Sequence, residues 1–355
     1  MADESLFFSP QSKWIQAKDE APQIVISSRV RLARNLAETP FPNRLLHEQA
    51  ETVLYKIKNA FSDLYGYRFF KLKDLPKEKQ QLLAAKHLIS PLLIEQAAIA
   101  GFAVNEDEST SAMINEEDHL RLQALLPGLQ LTRASKLAFA LDDALESKLN
   151  FAFDENLGYL SACPTNLGTG LRASVMLHLP ALVLSKQAQD VFDSLPRLGL
   201  TVRGLYGEGT EARGNLFQVS NQTTLGSSEK DLIKHLEDIT NRISLQEQQT
   251  RSFLLEKHPG YLEDNIWRSF AILRHARRIG EEEMAERLSL LRLGVDLGMI
   301  KKLSGKAVSK LMLAGSTPFI QAQSTQKLSP DGVDTERANL LRKNLSYLKD
   351  GDSDE

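Results

Sequence analysis

Cysteine is nearly missing from this chain of 355 residues: Cys163 stands alone. One cysteine cannot close an intramolecular disulfide, so a disulfide-stapled secreted scaffold is excluded and a reducing, cytoplasmic setting is expected. Long apolar runs are missing too. No stretch of about 18 uncharged apolar residues occurs, which excludes an ordinary transmembrane helix, and the acidic opening MADESLFFSPQSKW lacks the apolar core of a secretory signal. There is no large excess of charge. Lys and Arg number 43 against 46 Asp and Glu, a net charge of −3, so nothing marks the chain as a whole as a nucleic-acid binder. Familiar nucleotide motifs are absent as well. NLGTGLRAS carries no GKS or GKT and is no P-loop; GEGTEA at 207–212 fits GxGxxA without a surrounding βαβ unit; HRD and DFG do not occur.

What is present suits a chain of roughly two domains at about 150 residues each. Residues 1–20 are polar and read as a mobile tail. PQIVISSRVRLARNL follows as a strand with Arg29 and Arg31 on one face. Apolar residues at 46, 50, 53, 54, 57, 60, 61 and 64 keep helical spacing, and 133–149 is a second helix of that kind. Residues 109–125 are expected as a strand running into a helix; 151–163, 171–184 and 200–222 read as strands or hairpins broken by glycine, with 203–214 a flexible loop. From residue 227 helix follows helix, with Ser228 as an N-cap and HPGY at 258–261 interrupting. Further helices are expected at 262–279, 281–293 and 304–313. The fold class is α+β: a catalytic domain with a sheet and flanking helices over 21–255, an all-helical domain over 256–345, and a charged tail over 346–355.

The chemistry concentrates in a few stretches. ACPTNLGTGLR, 162–172, is a glycine-rich loop whose backbone is expected to face something small and anionic. Arg29, Arg31, Arg121, Arg172 and Arg203 lie in or beside such segments, and planar, permanently charged guanidinium forks suit bidentate phosphate contact. Carboxylates in NEEDHLR, 115–121, and YGEGTE, 206–211, are placed to grip a cation, and a guanidinium is the obvious one. His119 reads as a hydrogen-bonded structural residue.

SSRVRLARN, NEEDHLR, CPTNLGTGLR and RGLYGEGTEARGNLFQVSNQTTLG resemble, in order and spacing, the motifs of the phosphagen (guanidino) kinase family. The helical C-terminal region and the stretch LLRLGVDLGMI resemble its bacterial protein-arginine kinase branch, the McsB type. The resemblance implies ATP with Mg²⁺ as cofactors and an antiparallel sheet flanked by helices. It further implies that Ser27, Ser28, Arg29, Val30 and Arg31, His87, Arg121, Arg172, Ala173, Ser174, Val175 and Met176, and Arg203, Gly204, Leu205, Tyr206 and Gly207 wall the nucleotide. Glu117 and Glu208 would bind the acceptor guanidinium, and Cys163 would stand beside it; no protein metal site is implied. Two positions depart from the metabolite kinases, Thr224 in place of a phosphate arginine and Gln218 in place of an acid. The branch also implies a pocket for phosphoarginine, here Val333, Asp334, Thr335, Glu336, Arg337 and Ala338, with Val333 where an arginine is usual. Implied partners are protein substrates with accessible arginines, a Clp unfoldase and protease, an McsA-type activator, a CtsR-type repressor as substrate, and a second copy in a homodimer, with neither membrane nor direct nucleic-acid binding. A kinase of a free guanidino metabolite and a non-catalytic arginine- or phosphoarginine-binding adaptor are the alternative readings.

Overall fold

The computed structural model describes residues 6–16, 24–204 and 213–348. Its elements in chain order begin with strand β1 (Val25–Arg34), helix α1 (His47–Ser62), β2 (Tyr67–Lys71), α2 (Lys77–Ala85) and α3 (Pro91–Glu95). β3 (Gly101–Asn105), β4 (Thr110–Ile114), β5 (Leu120–Pro127), α4 (Leu131–Glu146), β6 (Phe153–Asp154), β7 (Gly158–Tyr159) and β8 (Leu171–His178) follow. Then come α5 (Pro180–Leu184), α6 (Ala188–Ser194), β9 (Leu200–Gly204) and β10 (Leu216–Asn221). The remainder is helical: α7 (Glu229–Lys257), α8 (Pro259–His275), α9 (Glu281–Asp296), α10 (Gly305–Ala314), α11 (Thr317–Gln323) and α12 (Pro330–Leu345).

Among the described residues an antiparallel sheet of eight strands runs β2-β3-β4-β5-β1-β8-β10-β9. The alternation in β1 explains how it is seated. Val30 and Leu32 point one way, and across the sheet Leu122, Ala124, Ala173, Val175 and Val219 join them in a core covered by α4 and α7. Each buried aliphatic side chain of this kind contributes about 1.5–3 kcal/mol. Odd-numbered residues of β1 face the other side, so Arg29 and Arg31 share a face as the spacing predicts. Helix α1 buries Ala50, Val53, Leu54, Ile57, Ala60 and Phe61, the stripe read from the sequence. Ser228 caps α7 by accepting from the N–H of Asp231.

Several expectations are corrected. Residues 109–125 form the hairpin β4–β5, not a strand running into a helix, because Leu120, Leu122, Ala124 and Leu126 keep the period of two that suits a one-sided core. Asn115, in a left-handed conformation at φ 56°, turns the chain and donates its N–H to the carbonyl of His119. Residues 171–184 are strand β8 followed by the short helix α5, with Pro180 at its first turn. Residues 6–16 are no loose tail: Leu6, Phe7 and Ile15 are buried with Leu82, Phe102 and Phe319 in a core of their own. Helices α11 and α12 extend the helical region beyond the stretches read from periodicity. Most of the 203–214 loop lies outside the described residues.

A second core joins α8, α9 and α12 through Leu262, Ile266, Phe270, Leu288, Leu291 and Leu341. A buried network ties this helical region to the sheet. Glu247 of α7 accepts the N–H groups of Ala181 and Leu182 at 3.1 and 3.0 Å, and Arg251 bridges Glu247 and Asp296 at 2.8 and 3.0 Å. Burial pushes the Glu247 and Asp296 carboxyls up, while their arginine partners act to hold them ionised. Removing one partner would leave a buried charge uncompensated, at a cost of about 3–5 kcal/mol.

Candidate active site

The sheet face opposite the main core collects the arginines by register alone. Arg31 of β1 stands opposite Arg172 of β8 and Gln123 of β5, Ala33 opposite Arg121, and Arg203 of β9 opposite Gln218 of β10. Like charges so close oppose one another. Burial, then Arg121 and Arg172, lower the pKa of Arg29 to about 10, and Arg31 is lowered by burial first and then by Arg29, Arg121 and Arg172. Arg172 is lowered by burial and by Arg203 and Arg121, with Cys163 and Glu117 acting in the other direction. The Nε atoms of Arg31 and Arg172 are buried without a hydrogen-bond partner. A buried donor left unsatisfied costs about 1–3 kcal/mol, more when charged, so this cluster is built to receive an anion. Arg29 donates to Gln218 Oε1 at 2.6 Å, which gives Gln218 the role of orienting an arginine without neutralising it.

The acidic turn divides its work between two neighbours. Glu116, buried, accepts from Arg121 with both carboxylate oxygens and from the hydroxyl of Ser90, and so fixes Arg121. Glu117 is more exposed, 3.8 Å from Arg121 and within 3.4 Å of the amide of Asn166. Asp118 accepts from Asn35, Ser161 and the N–H of Ala162, at 2.6, 2.9 and 2.8 Å, and so pins the segment before Cys163 to this turn. His119 is structural: Nδ1 accepts the N–H of Leu36 and Nε2 donates to Pro40 O. Burial lowers its pKa to about 4. Cys163 is partly exposed, its sulfur 3.1 Å from the hydroxyl of Thr165.

The glycines after Cys163 allow close packing. Gly170, at φ 66°, leaves no room for a side chain: a Cβ would lie 2.6 Å from Arg34 Nη1 and 2.7 Å from Ala33 O. Arg34 is buried there, paired with Asp142 at 2.6 Å, donating to Thr169 O, and lying 3.4 Å from the centre of the Tyr159 ring. The Thr224 hydroxyl donates to Leu167 O and lies 3.2 Å from Thr165 O, so it fastens this loop and does not stand in for an arginine.

A cavity of about 460 Å³ opens beside the arginines, within the size range of cofactor sites. Arg29, Arg31, Arg121, Ser27, Ser174, Met176 and His87 line it, together with Met284 and Arg292 of α9 and Ser309 and Met312 of α10, so the helical region supplies one wall. Alternation corrects part of the expected lining. The side chains of Val30 and Ala173 turn into the core, and Ser28 Oγ donates to Gly128 O and accepts from Gln130 N at the start of α4; Val175, though packed in the core, still lines the cavity. Arg203 is exposed at the end of β9 and Gly204 is buried beside it; Leu205, Tyr206, Gly207 and Glu208 lie outside the described residues.

The C-terminal motif is also corrected. Val333 and Ala338 are buried in α12. Arg337 donates to Gly315 O at 2.7 Å, Ile279 O at 2.8 Å and Thr317 Oγ1 at 3.0 Å, and is ion-paired with Asp334. That fork is a structural tie joining α12 to two loops, not an open anion site; Thr335 bonds back to Asp331 O and Glu336 to Asn339. Glu116, Asp118, Asn166, Gln218 and Trp14, another cavity residue, escaped assignment from sequence. The repeated acids of NEED were the one visible signal for the first two.

Comparison with known proteins follows the same lines. The family model of the ATP:guanido phosphotransferase C-terminal catalytic domain matches residues 48–250, and that of the protein-arginine kinase McsB C-terminal domain matches 259–355. A protein-arginine kinase of Brevibacillus brevis is 44% identical over 354 residues, covering 98% of this chain and 99% of the relative. One from Symbiobacterium thermophilum is 46% identical over 342 residues, covering 95% and 97%. A crystal structure of lombricine kinase superposes with a TM-score of 0.56 at 26% identity over 67% of this chain and 69% of that one. The fold also matches a duplicated taurocyamine kinase of Schistosoma mansoni, with a TM-score of 0.58 at 24% identity over 77% of this chain and 42% of that one. An antiparallel sheet lined with arginines, the guanidino-kinase motifs and matches over nearly the whole length agree: this chain belongs to the ATP:guanido phosphotransferase family, in its protein-arginine kinase branch.

Proposed function

We propose that the chain transfers the γ-phosphoryl group of ATP to arginine side chains of proteins. The observation that carries this reading is the pair of buried, unsatisfied Nε donors of Arg31 and Arg172 within a cluster of mutually repelling guanidinium groups. A polyphosphate satisfies the donors and relieves the repulsion together. Arg29, Arg31, Arg121, Arg172 and Arg203 are assigned to the phosphates. Mg²⁺ is assigned to arrive on those phosphates, as is usual for this ion, which keeps several waters and binds through substrate phosphates.

The acceptor guanidinium has a pKa above about 12 and is no nucleophile while protonated. One of its nitrogens must lose a proton as it attacks. The N–P bond forms as the bond from the γ-phosphorus to the β–γ bridging oxygen breaks, ADP leaves, and the proton passes to a carboxylate. Glu117 is assigned to orient the nitrogen and take the proton, Glu208 to share that task from outside the described residues, and Cys163 to stand beside the acceptor. The proximity of Cys163 and Glu117 to Arg172 supports this arrangement. That protein-arginine kinases match over nearly their full length favours an arginine on a polypeptide over a free metabolite.

The same reading extends to a cytoplasmic role in stress response. Phosphoarginine would mark substrates for a Clp unfoldase and protease, a CtsR-type repressor would be a substrate, an McsA-type protein would activate, and the chain would act as a homodimer. Transfer of acid-labile phosphate from ATP to an arginine-rich unfolded protein tests the central claim, with free arginine as parallel acceptor. Phosphoarginine on the protein, lost in Glu117→Ala, is expected; transfer to free arginine alone, or to neither, would overturn it.

A further inference from the structure

No step above uses the N-terminal segment, yet it supplies a residue to the wall of the nucleotide cavity. The 3₁₀ turn Lys13–Ile15 lies against β1 and β5 and touches α10, and Trp14 lines the cavity. The indole Nε1–H donates to Lys86 O at 3.1 Å, and its ring stands 5.3 Å from the imidazole of His87, tilted by 56°. Lys13 pairs with Asp107 at 2.8 Å, and the buried Lys86 ammonium, paired with Glu108, donates to Leu6 O at 2.8 Å. Ordering a terminal segment costs conformational entropy. These ties hold it in place and keep one large aromatic side chain in the cavity wall.

The cavity has a polar direction. Facing side chains run Arg121, Gln123, Leu125 along β5 and Arg172, Ser174, Met176 along β8, from cationic to apolar. Arg172 feels Cys163 and Glu117 at the acceptor end, whereas His87 feels Arg29. Phosphates lying along the arginines with the γ end toward Glu117 leave the base at the end formed by Trp14, His87, Ile89 and Leu125. His87 is itself held in the left-handed region, at φ 59°, by its N–H to Ala84 O and by Gln123, which donates to its carbonyl at 2.9 Å. A strained side-chain-bearing residue in a cavity wall points to a positioned group. Burial, then Arg29, lower the pKa of this imidazole to about 4, so it presents an uncharged ring at neutral pH.

We infer that Trp14 and His87 form an aromatic clip for the nucleobase of ATP, and that Trp14, supplied by the N-terminal segment, is a determinant of nucleotide affinity. This rests on the kinase reading for the identity of the ligand. The chain has two tryptophans, and Trp267 packs beside Phe270 in the helical core, so Trp267→Phe leaves Trp14 as a single reporter.

Titrating Trp267→Phe with ATP and Mg²⁺ is expected to change Trp14 emission saturably, at the concentration where calorimetry reports binding. Trp14→Ala is expected to raise KM for ATP about tenfold or more, in line with base–aromatic stacking, while kcat stays within about threefold; Trp14→Phe should retain most of the affinity. Emission that stays constant while calorimetry shows nucleotide bound would overturn the inference, as would an unchanged KM in Trp14→Ala. If that variant loses its cooperative melt, Trp14→Phe and the emission titration decide. Absence of calorimetric binding to wild type would instead remove the kinase reading itself, and the clip with it.

Discussion

Five arginines on one sheet face would repel one another in any chain; here the register of four strands forces them together. Arg172 is the most telling of them, since Arg203 and Arg121 oppose its charge while Cys163 and Glu117 favour it. Losing one donor to a developing anion typically costs about 10²–10³ in rate. Arg172→Ala is accordingly expected to lower kcat/KM by that factor with little change in melting temperature, and steady-state kinetics beside a thermal melt check it. Rates within threefold of wild type would remove Arg172 from the phosphate site. The arginines were legible from their motifs. The division of labour between Glu116 and Glu117 was not, because adjacent acids in a turn look alike until Ser90, from another part of the chain, and Arg121, on the strand that follows, select one of them.

At the scale of elements, the loop after Cys163 shows how a motif can be recognised and its local purpose misread. Its glycines are expected to make space for an anion; Gly170 makes space for Arg34, which couples β1, α4 and the loop, and Gly168 packs against Thr224 and Leu225. Gly170→Ala places a Cβ in a left-handed backbone, worth about 1–2 kcal/mol, and also against Arg34 Nη1 and Ala33 O. A loss of at least about 2 kcal/mol in urea unfolding is expected, along with a fall in activity as the Cys163 loop shifts. An unchanged midpoint would mean the loop relaxes freely. The hairpin β4–β5 was misread for a related reason. A leucine-rich run satisfies a helical pattern and a one-sided strand equally well, and pairing with β1 decides between them.

Over the whole molecule, buried imidazoles give a pH dependence. His87 and His119 are lowered from 6.5 to about 4, and His178 well below its ordinary value, each first by burial. A depressed pKa means that the unfolded chain binds these protons first. Their contribution is complete above pH about 6.5 and is lost as pH falls toward about 4, at up to about 1.4 kcal/mol per pH unit for each histidine. Asp142, Glu247 and Asp296, pushed up by burial, act with the opposite sign. The comparison is therefore internal: between pH 6.5 and 5, His119→Asn should show a shallower decline of unfolding free energy than wild type, and equal slopes would contradict it. What the sequence determined by itself was local or motif-borne: the alternation in β1, the stripe of α1, the Ser228 cap, the α+β class, and the arginine set with its guanidino-kinase chemistry. Tertiary structure alone decided that Glu116 holds Arg121, that Arg337 is tied to backbone carbonyls, and that Trp14 meets His87 beside a wall supplied by α9 and α10. Except for Glu116 and Arg121, five positions apart in one hairpin, those contacts join residues tens to hundreds of positions apart. They are set by how separately formed faces pack, which no pattern within a single segment encodes.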